Sequence, residues 1–437
     1  MKTDIAKKLR KKKYVKPNRF VYFIYRTIVA FITPRYHIHY NIIDDVKKEK
    51  GPVFIIFNHK SRMDHYYLLN STYPKLCVNV AGYNEFFRKK FKFVFNIANI
   101  IPKKNYTPDF LTIKGITNCI KSGGSIVFSP EGLACNFGVN KPIVPDTSKL
   151  FKHFNIPVYL CKLEGEYLQC PKFNTEERLG KSYCTMTRLF TPEDTQRLSV
   201  EEMDDIVNEK LWCNEFEWNR KMRIKYNTHG HSCEGLENLL YRCPKCGQEF
   251  KMVSKGDHLY CSHCGNGTTM DGYYDFHPYE GSTIPLDISE WMKLELKSII
   301  DEIREDPNYS FEDEVEIGNL DNYKYIKSSM DTTFKVGNGR LYVDHKGVHF
   351  EGTRNNKPYR FDLSYNEIYT TITFNDASYF SFYVNGECFD FFPKHKTTGK
   401  FIILIEEMHR YHVNYYKNFK WYDDLYEGKE LGIDNKK

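Results

Sequence analysis

Three short apolar runs limit what this chain can fold into more than anything else in it. They are VFIIF (53–57), SIVF (125–128) and IPVYLC (156–161). None alternates with polar residues, so each reads as a strand buried on both faces, the pattern of a sheet covered by helices. Amphipathic stretches separate them. Thr107-Pro108-Asp109 opens one such helix, with proline at the first helical position and an apolar stripe at Ile113, Ile116 and Ile120; Gly123-Gly124 closes it. Strands alternating with helices across residues 36–235 predict an α/β domain, whose sites form at the C-terminal ends of the strands.

Those ends are polar. VFIIF runs into Asn58-His59, followed by Ser61 and Asp64. Ser61 reads as a helix N-cap and Asp64 as its capping-box partner. A histidine just before a helix, with a carboxylate in the first turn, can be held in one tautomer and take a proton from a hydroxyl. Taken singly, Asp64 is equally a capping carboxylate and His59 a loop histidine. The second strand delivers FSPEG (128–132), and the third begins with Ile156-Pro157-Val158.

This order of motifs resembles the PlsC-type acyltransferases, which include the 1-acylglycerol-3-phosphate acyltransferases. The likeness covers roughly residues 20–230 and rests on Asn58, His59, Ser61 and Asp64, then Pro130, Glu131 and Gly132, with a looser match at Ile156-Pro157-Val158. It implies a mixed sheet with surrounding helices, and transfer of a fatty acyl group from acyl-CoA or acyl-ACP to a lysophospholipid hydroxyl. His59 would be the general base and Asp64 its orienting partner. Asn58, Ser61, Glu131 and Gly132 would belong to the substrate-binding part of the site. No acyl-enzyme and no metal enter the chemistry it implies. The chain departs from the family where an arginine usually grips the acceptor phosphate. Lys103 and Lys104 stand there, as phosphate ligands or as solvated charges, and a lysine lacks the bidentate fork. Leu133-Ala134-Cys135-Asn136 replaces the polar residues usual after Glu-Gly, and the late strand lacks its second proline, so the acceptor headgroup stays open.

CPKC (243–246) and CSHC (261–264) form two Cys-x-x-Cys knuckles. Their spacing predicts a zinc ribbon over residues 236–280, with Cys243, Cys246, Cys261 and Cys264 as ligands of a structural Zn2+. Gly247 and Gly265 supply the turns, and His263 faces solvent. The other nine of thirteen cysteines show no disulfide framework, which suits a reducing compartment. Zinc ribbons often bind nucleic acid, so a zinc-dependent nucleic-acid- or protein-binding scaffold is the rival reading. The ribbon has few clustered arginines and little aromatic interleaving, so no nucleic acid is expected as a partner.

The net charge of +7 concentrates at the N-terminus, where Lys2 to Arg19 carry nine basic residues against Asp4. FVYFIYRTIVAFIT (20–33) follows. As a helix it reaches about 21 Å, short of the roughly 30 Å hydrocarbon core. Residues 1–35 therefore read as a basic tail and an interfacial helix that places the protein peripherally on the cytoplasmic face of a membrane. The competing reading packs this helix on the protein's own core. Residues 281–324 read as an acidic linker, helical over LDISEWMKLELKSIIDEI and then loop-like. Residues 325–418 read as a β-rich module like a pleckstrin-homology or GRAM fold, with strands over 339–352, 358–374 and 378–392, a hairpin turn at Asn385-Gly386, and a closing helix. Residues 419–437 read as a tail.

Overall fold

The computed structural model of the chain describes residues 4–107, 109–328, 331–415 and 420–436. Seven strands form the first sheet: β1 Ile38–Ile42, β2 Phe54–Phe57, β3 Cys77–Gly82, β4 Ile101–Lys103, β5 Ser125–Phe128, β6 Val158–Glu164 and β7 Ser182–Phe190. Their order is β1-β7-β6-β2-β5-β3-β4. Strands β6, β2, β5, β3 and β4 run parallel, while β7 is antiparallel to β6 and parallel to β1. The sheet is therefore mixed. Phe54, Ile56, Ile126, Val158 and Leu160 pack on one face against Ile116 and Phe151. Val53, Ile55, Val127, Tyr159 and Cys161 pack on the other against Tyr67 and Leu68. Successive side chains of a strand point to opposite faces, so a strand covered on both sides must be apolar throughout. Because β2, β5 and β6 are parallel neighbours, the turns after them open side by side.

The helix after β4 spans Phe110–Lys121. Asp109 caps it, accepting hydrogen bonds from the backbone of Leu111 and Thr112. The expected opening at Thr107 shifts to Asp109, because its carboxylate reaches those orphan amides; Pro108 lies outside the described residues. Ile116 is buried but Ile113 is 48% exposed, so the expected stripe is only partly a core face.

The basic N-terminal run is not a free tail where it is described. Ile5–Lys11 is a helix whose Ile5 and Leu9, one turn apart, pack with Phe86, Phe87, Ile100 and Ile326. Its lysines ring that seam and obscure it in the sequence. The next helix, Arg19–Ile32, buries Tyr22 and Val29 against Leu69 and leaves Phe20, Phe23, Ile24, Ile28 and Phe31 exposed. Arg26 lies over the Tyr73 ring. No described helix is long and apolar enough to cross a membrane.

Strands β8 Met252–Lys255, β9 His258–Cys261, β10 Gly267–Met270 and β11 Phe276–Pro278 form a small antiparallel sheet around the cysteines. The third sheet holds β12 Ser310–Asn319, β13 Phe334–Asp344, β14 Gly347–Arg354, β15 Lys357–Leu363, β16 Ile372–Thr373, β17 Phe380–Val384 and β18 Glu387–Pro393, in the order β15-β14-β13-β12-β18-β17-β16. The expected helix is present at Ile288–Glu305. The stretch after it, read as a loop, is the central strand β12. Glu312, Glu314 and Glu316 point outward while Val315 and Ile317 enter the core, and so many acids disguise the alternation. The strand expected over 358–374 breaks after Leu363 and resumes only for Ile372–Thr373. Asn385 and Gly386 both take positive φ, as a two-residue hairpin turn requires.

Helix Thr398–His412 closes this sheet and is buried along nearly its whole length. Its charges are paired: Arg410 with Glu406 and Glu407, and Glu406 also with Lys141 of the first region. One apolar core runs from Tyr167 and Phe216 through Met252 and Leu259 of the ribbon to Phe380 and Phe401. In the segment read as a tail, Leu425 and Tyr426 join that core.

Candidate functional site

The turn after β2 carries His59. Asn58, fully buried, ties that turn to β6: its amide donates to the Leu163 carbonyl and its oxygen accepts the Leu163 N–H, both at 2.7 Å. The turn after β5 brings Glu131, 1% exposed. Glu131 Oε1 accepts the His59 backbone N–H and the Asn140 amide, each at 2.9 Å, and Oε2 accepts the Lys141 N–H. Gly132 takes φ 80°, and a Cβ there would meet the Tyr106 hydroxyl at 3.1 Å. Asn58 and Glu131 are thus committed to holding the backbone around His59.

His59 Nδ1 hydrogen-bonds Asp64 Oδ2. The helix starts at Asp64 and not after Ser61, so the expected capping box is only half formed. Ser61 N–H donates to Asp64 Oδ1 at 2.9 Å, but the Ser61 hydroxyl accepts from Met63 N and donates to Glu166. This arrangement serves His59: Asp64 is held from below and its second oxygen is left for the imidazole. The His59 side chain keeps about a third of its surface exposed (32%) while that of Asp64 keeps 5%. The enclosed part of the ring, and after it the Lys172 charge, lower the imidazole below its usual range, so the ring is neutral at ordinary pH. With Nδ1 engaged, Nε2 is the basic nitrogen.

Sequence reasoning missed three residues here. Lys60, next to His59, is fully buried and pairs with Glu215 at 3.2 Å; it also donates to Asn140 at 2.9 Å. Glu166 follows β6, with no exposed surface. Lys172, 9% exposed, donates to the Thr373 carbonyl of β16 at 3.1 Å and to Asn375 in the turn after it at 3.4 Å. Burial lowers Lys172 to about 8. Nothing local marks these positions, since lysine and glutamate are usually exposed.

Lys103 and Lys104 lie near the second motif without joining the histidine. Lys103 donates to the Thr107 carbonyl, and Lys104 to the Gly386 carbonyl at 2.6 Å. The residues after them make the contact instead: Asn105 donates to the Gly132 carbonyl and Tyr106 to the Glu131 carbonyl, both at 2.8 Å.

Four thiols of the ribbon converge. Sulfurs about 2.3 Å from a single tetrahedral ion sit about 3.8 Å apart. Cys243–Cys264 and Cys246–Cys261 are 3.7 and 3.9 Å apart, and all four ligand atoms lie within 4.8 Å of one another. The residues present fit a metal ion. Gly247 and Gly265 turn the knuckles at φ 72° and 73°, and His263 is exposed outside the cluster.

No protein-family profile and no curated protein matches the chain. Among solved structures it is similar to the 1-acyl-sn-glycerophosphate (LPA) acyltransferase PlsC from Thermotoga maritima, at 16% identity and a TM-score of 0.37, over 44% of this chain and 80% of that one. That likeness is too slight to bear on function, which rests on the geometry of the site.

Proposed function

We propose that this chain is an O-acyltransferase that moves a fatty acyl group from acyl-CoA or acyl-ACP to the hydroxyl of a lysophospholipid. One observation carries the reading: a neutral, part-exposed imidazole at the end of a parallel strand, with Nδ1 hydrogen-bonded to the buried Asp64. His59 Nε2 takes the proton of the acceptor hydroxyl as its oxygen attacks the thioester carbonyl. The tetrahedral adduct then expels the thiolate, which recovers that proton from the imidazolium. Asp64 fixes the tautomer and faces the transient positive charge. For an anionic headgroup Lys172 is the lysine whose charge reaches His59, while Lys103 and Lys104 would have to leave the Thr107 and Gly386 carbonyls to take part. The test gives purified protein a labelled acyl-CoA or acyl-ACP and a panel of lysophospholipids. A labelled phospholipid is expected; no product with any acceptor sinks the reading.

The exposed face of helix Arg19–Ile32 supports work at a membrane surface. Fourteen residues lying in the interface would bury Phe20, Phe23 and Phe31, now 70%, 51% and 83% exposed. Phe23→Asp with Phe31→Asp is expected to weaken binding to anionic phospholipid vesicles by at least about tenfold. Unchanged binding in a sedimentation assay refutes the interfacial role.

Zinc is the ion we assign to Cys243, Cys246, Cys261 and Cys264, as a closed structural site. It holds two knuckles whose Cys243 and Cys261 belong to the common core. Structural zinc contributes on the order of 10 kcal/mol in isolated zinc-finger peptides. About one zinc per chain is expected by elemental analysis. Cys261→Ser or a strong chelator should lower the melting temperature; a metal-free protein that melts unchanged rules the site out.

A further inference from the structure

Glu166 is a buried carboxyl with no counter-charge. No lysine or arginine lies within ion-pair distance of it or of Asp64 among the described residues; the buried Lys60 is taken by Glu215. Glu166 Oε1 receives the Ser61 hydroxyl proton at 2.6 Å. The same hydroxyl oxygen accepts the Met63 N–H at 2.9 Å, and the hydroxyl hydrogen is left to point at Glu166. Glu166 Oε2 finds no donor. Ser61 brings Glu166 against the Asp64 carboxyl: the Ser61 N–H donates to Asp64 Oδ1 at 2.9 Å while its hydroxyl donates to Glu166 Oε1, and the two carboxyls face each other. Two carboxylates cannot share such a contact unless one holds a proton, and two uncompensated charges cannot stay buried together.

The surroundings decide which of them holds it. Asp64 accepts from Ser61 N and from His59 Nδ1, which favours its charged form. Glu166 accepts one hydroxyl only. Burial, and after it the Asp64 charge, push Glu166 far above the carboxylate range.

We infer that Glu166 is a neutral carboxylic acid that donates its O–H to Asp64, extending the His59–Asp64 pair into a three-member chain and fixing the rotamer in which Asp64 receives His59 Nδ1–H. Glu166 touches no reacting atom in this arrangement; it is a positioning residue. The assignment rests on the proposed acyl transfer for its role and on geometry alone for its proton. β6 places Glu166 there: Gly165, at φ 83°, turns the chain back at the strand end, and its N–H is held by Glu215 at 2.6 Å.

Glutamine is the isostere of a protonated glutamate, with an oxygen for Ser61 and an N–H for Asp64. Glu166→Ala is expected to lower kcat about 10–100-fold, with the acceptor KM little changed. Glu166→Gln is expected to restore most of that rate. The pH profile adds a second reading. Burial raises Asp64 above the usual carboxylate range, opposed by the hydrogen bonds from Glu166 and Ser61 and aided by the Glu131 charge, so kcat should fall toward acid pH as Asp64 gains a proton. That acid limb should be the same in Glu166→Gln, because a neutral group has replaced a neutral group. Any alkaline loss due to ionisation of Glu166 should vanish. An acid limb displaced downward in Glu166→Gln, or a Glu166→Gln protein as slow as Glu166→Ala, overturns the inference. Infrared difference spectra test the proton without any acyl transfer. Wild type and His59→Ala should both show a neutral carboxylic-acid band at mildly alkaline pH that Glu166→Gln lacks. If wild type lacks the band, the proton assignment is wrong even where the enzyme is active; if the band is present without acyl transfer, only the proposed function fails.

Discussion

His59→Ala is expected to lower the acyl-transfer rate about 10²–10⁴-fold, the usual contribution of a positioned general base. The variant should fold normally. About a third of the side chain is exposed (32%), and the turn is held by backbone and by Asn58 and Glu131, none of which needs the imidazole. Asp64→Asn should give a loss of similar order by another route. An asparagine amide can present its N–H to Nδ1, which stabilises the tautomer with the proton on Nε2 and removes the base. Measured beside the wild type with the same thioester and acceptor, equal product from wild type and His59→Ala would remove the case for catalysis at this site. The rival reading, a zinc-held binding scaffold, would then stand.

The second large effect falls on stability. Lys60→Met is expected to destabilise the fold by about 3–5 kcal/mol, the cost of leaving one member of a buried ion pair alone. Both side chains are fully buried, and Lys60 also holds Asn140 and the Cys213 carbonyl. Burial opposes the ammonium, yet its neighbours, Cys213 and Glu215 foremost, outweigh that and keep it charged. Without Lys60 the Glu215 carboxylate keeps only the Gly165 N–H and the Cys213 thiol. Since whole domains are stable by only about 5–15 kcal/mol, such a loss should be plain as a drop in denaturant midpoint. Lys60→Met with Glu215→Gln should recover part of it, because the orphan charge is gone. A single variant costing under about 1 kcal/mol would mean that water reaches the pair.

Much of the site could be read before the fold was known. The doubly covered strands, the His59–Asp64 spacing and the cysteine knuckles are short-range patterns, and short-range patterns survive in any correct fold. Strand β12 was hidden for a local reason as well: its outward acids made a half-buried strand look like a solvated linker. The N-terminal helix was hidden in the same way by its lysines.

Apolar runs in the chain marked three strands of the sheet that carries the site, the order of motifs marked His59 and Asp64 through a family resemblance, and ligand spacing marked the tetra-cysteine cluster. Tertiary structure decided what surrounds them. Asn58 meets Leu163, Ser61 meets Glu166, Lys60 meets Glu215, and Lys172 meets Thr373, pairs separated by 105, 105, 155 and 201 residues. A charged side chain is soluble or buried according to what faces it, and its own neighbours in sequence do not specify that. Only when parallel strands bring distant turns together does a glutamate become a proton-holding support and a lysine the buried half of an ion pair.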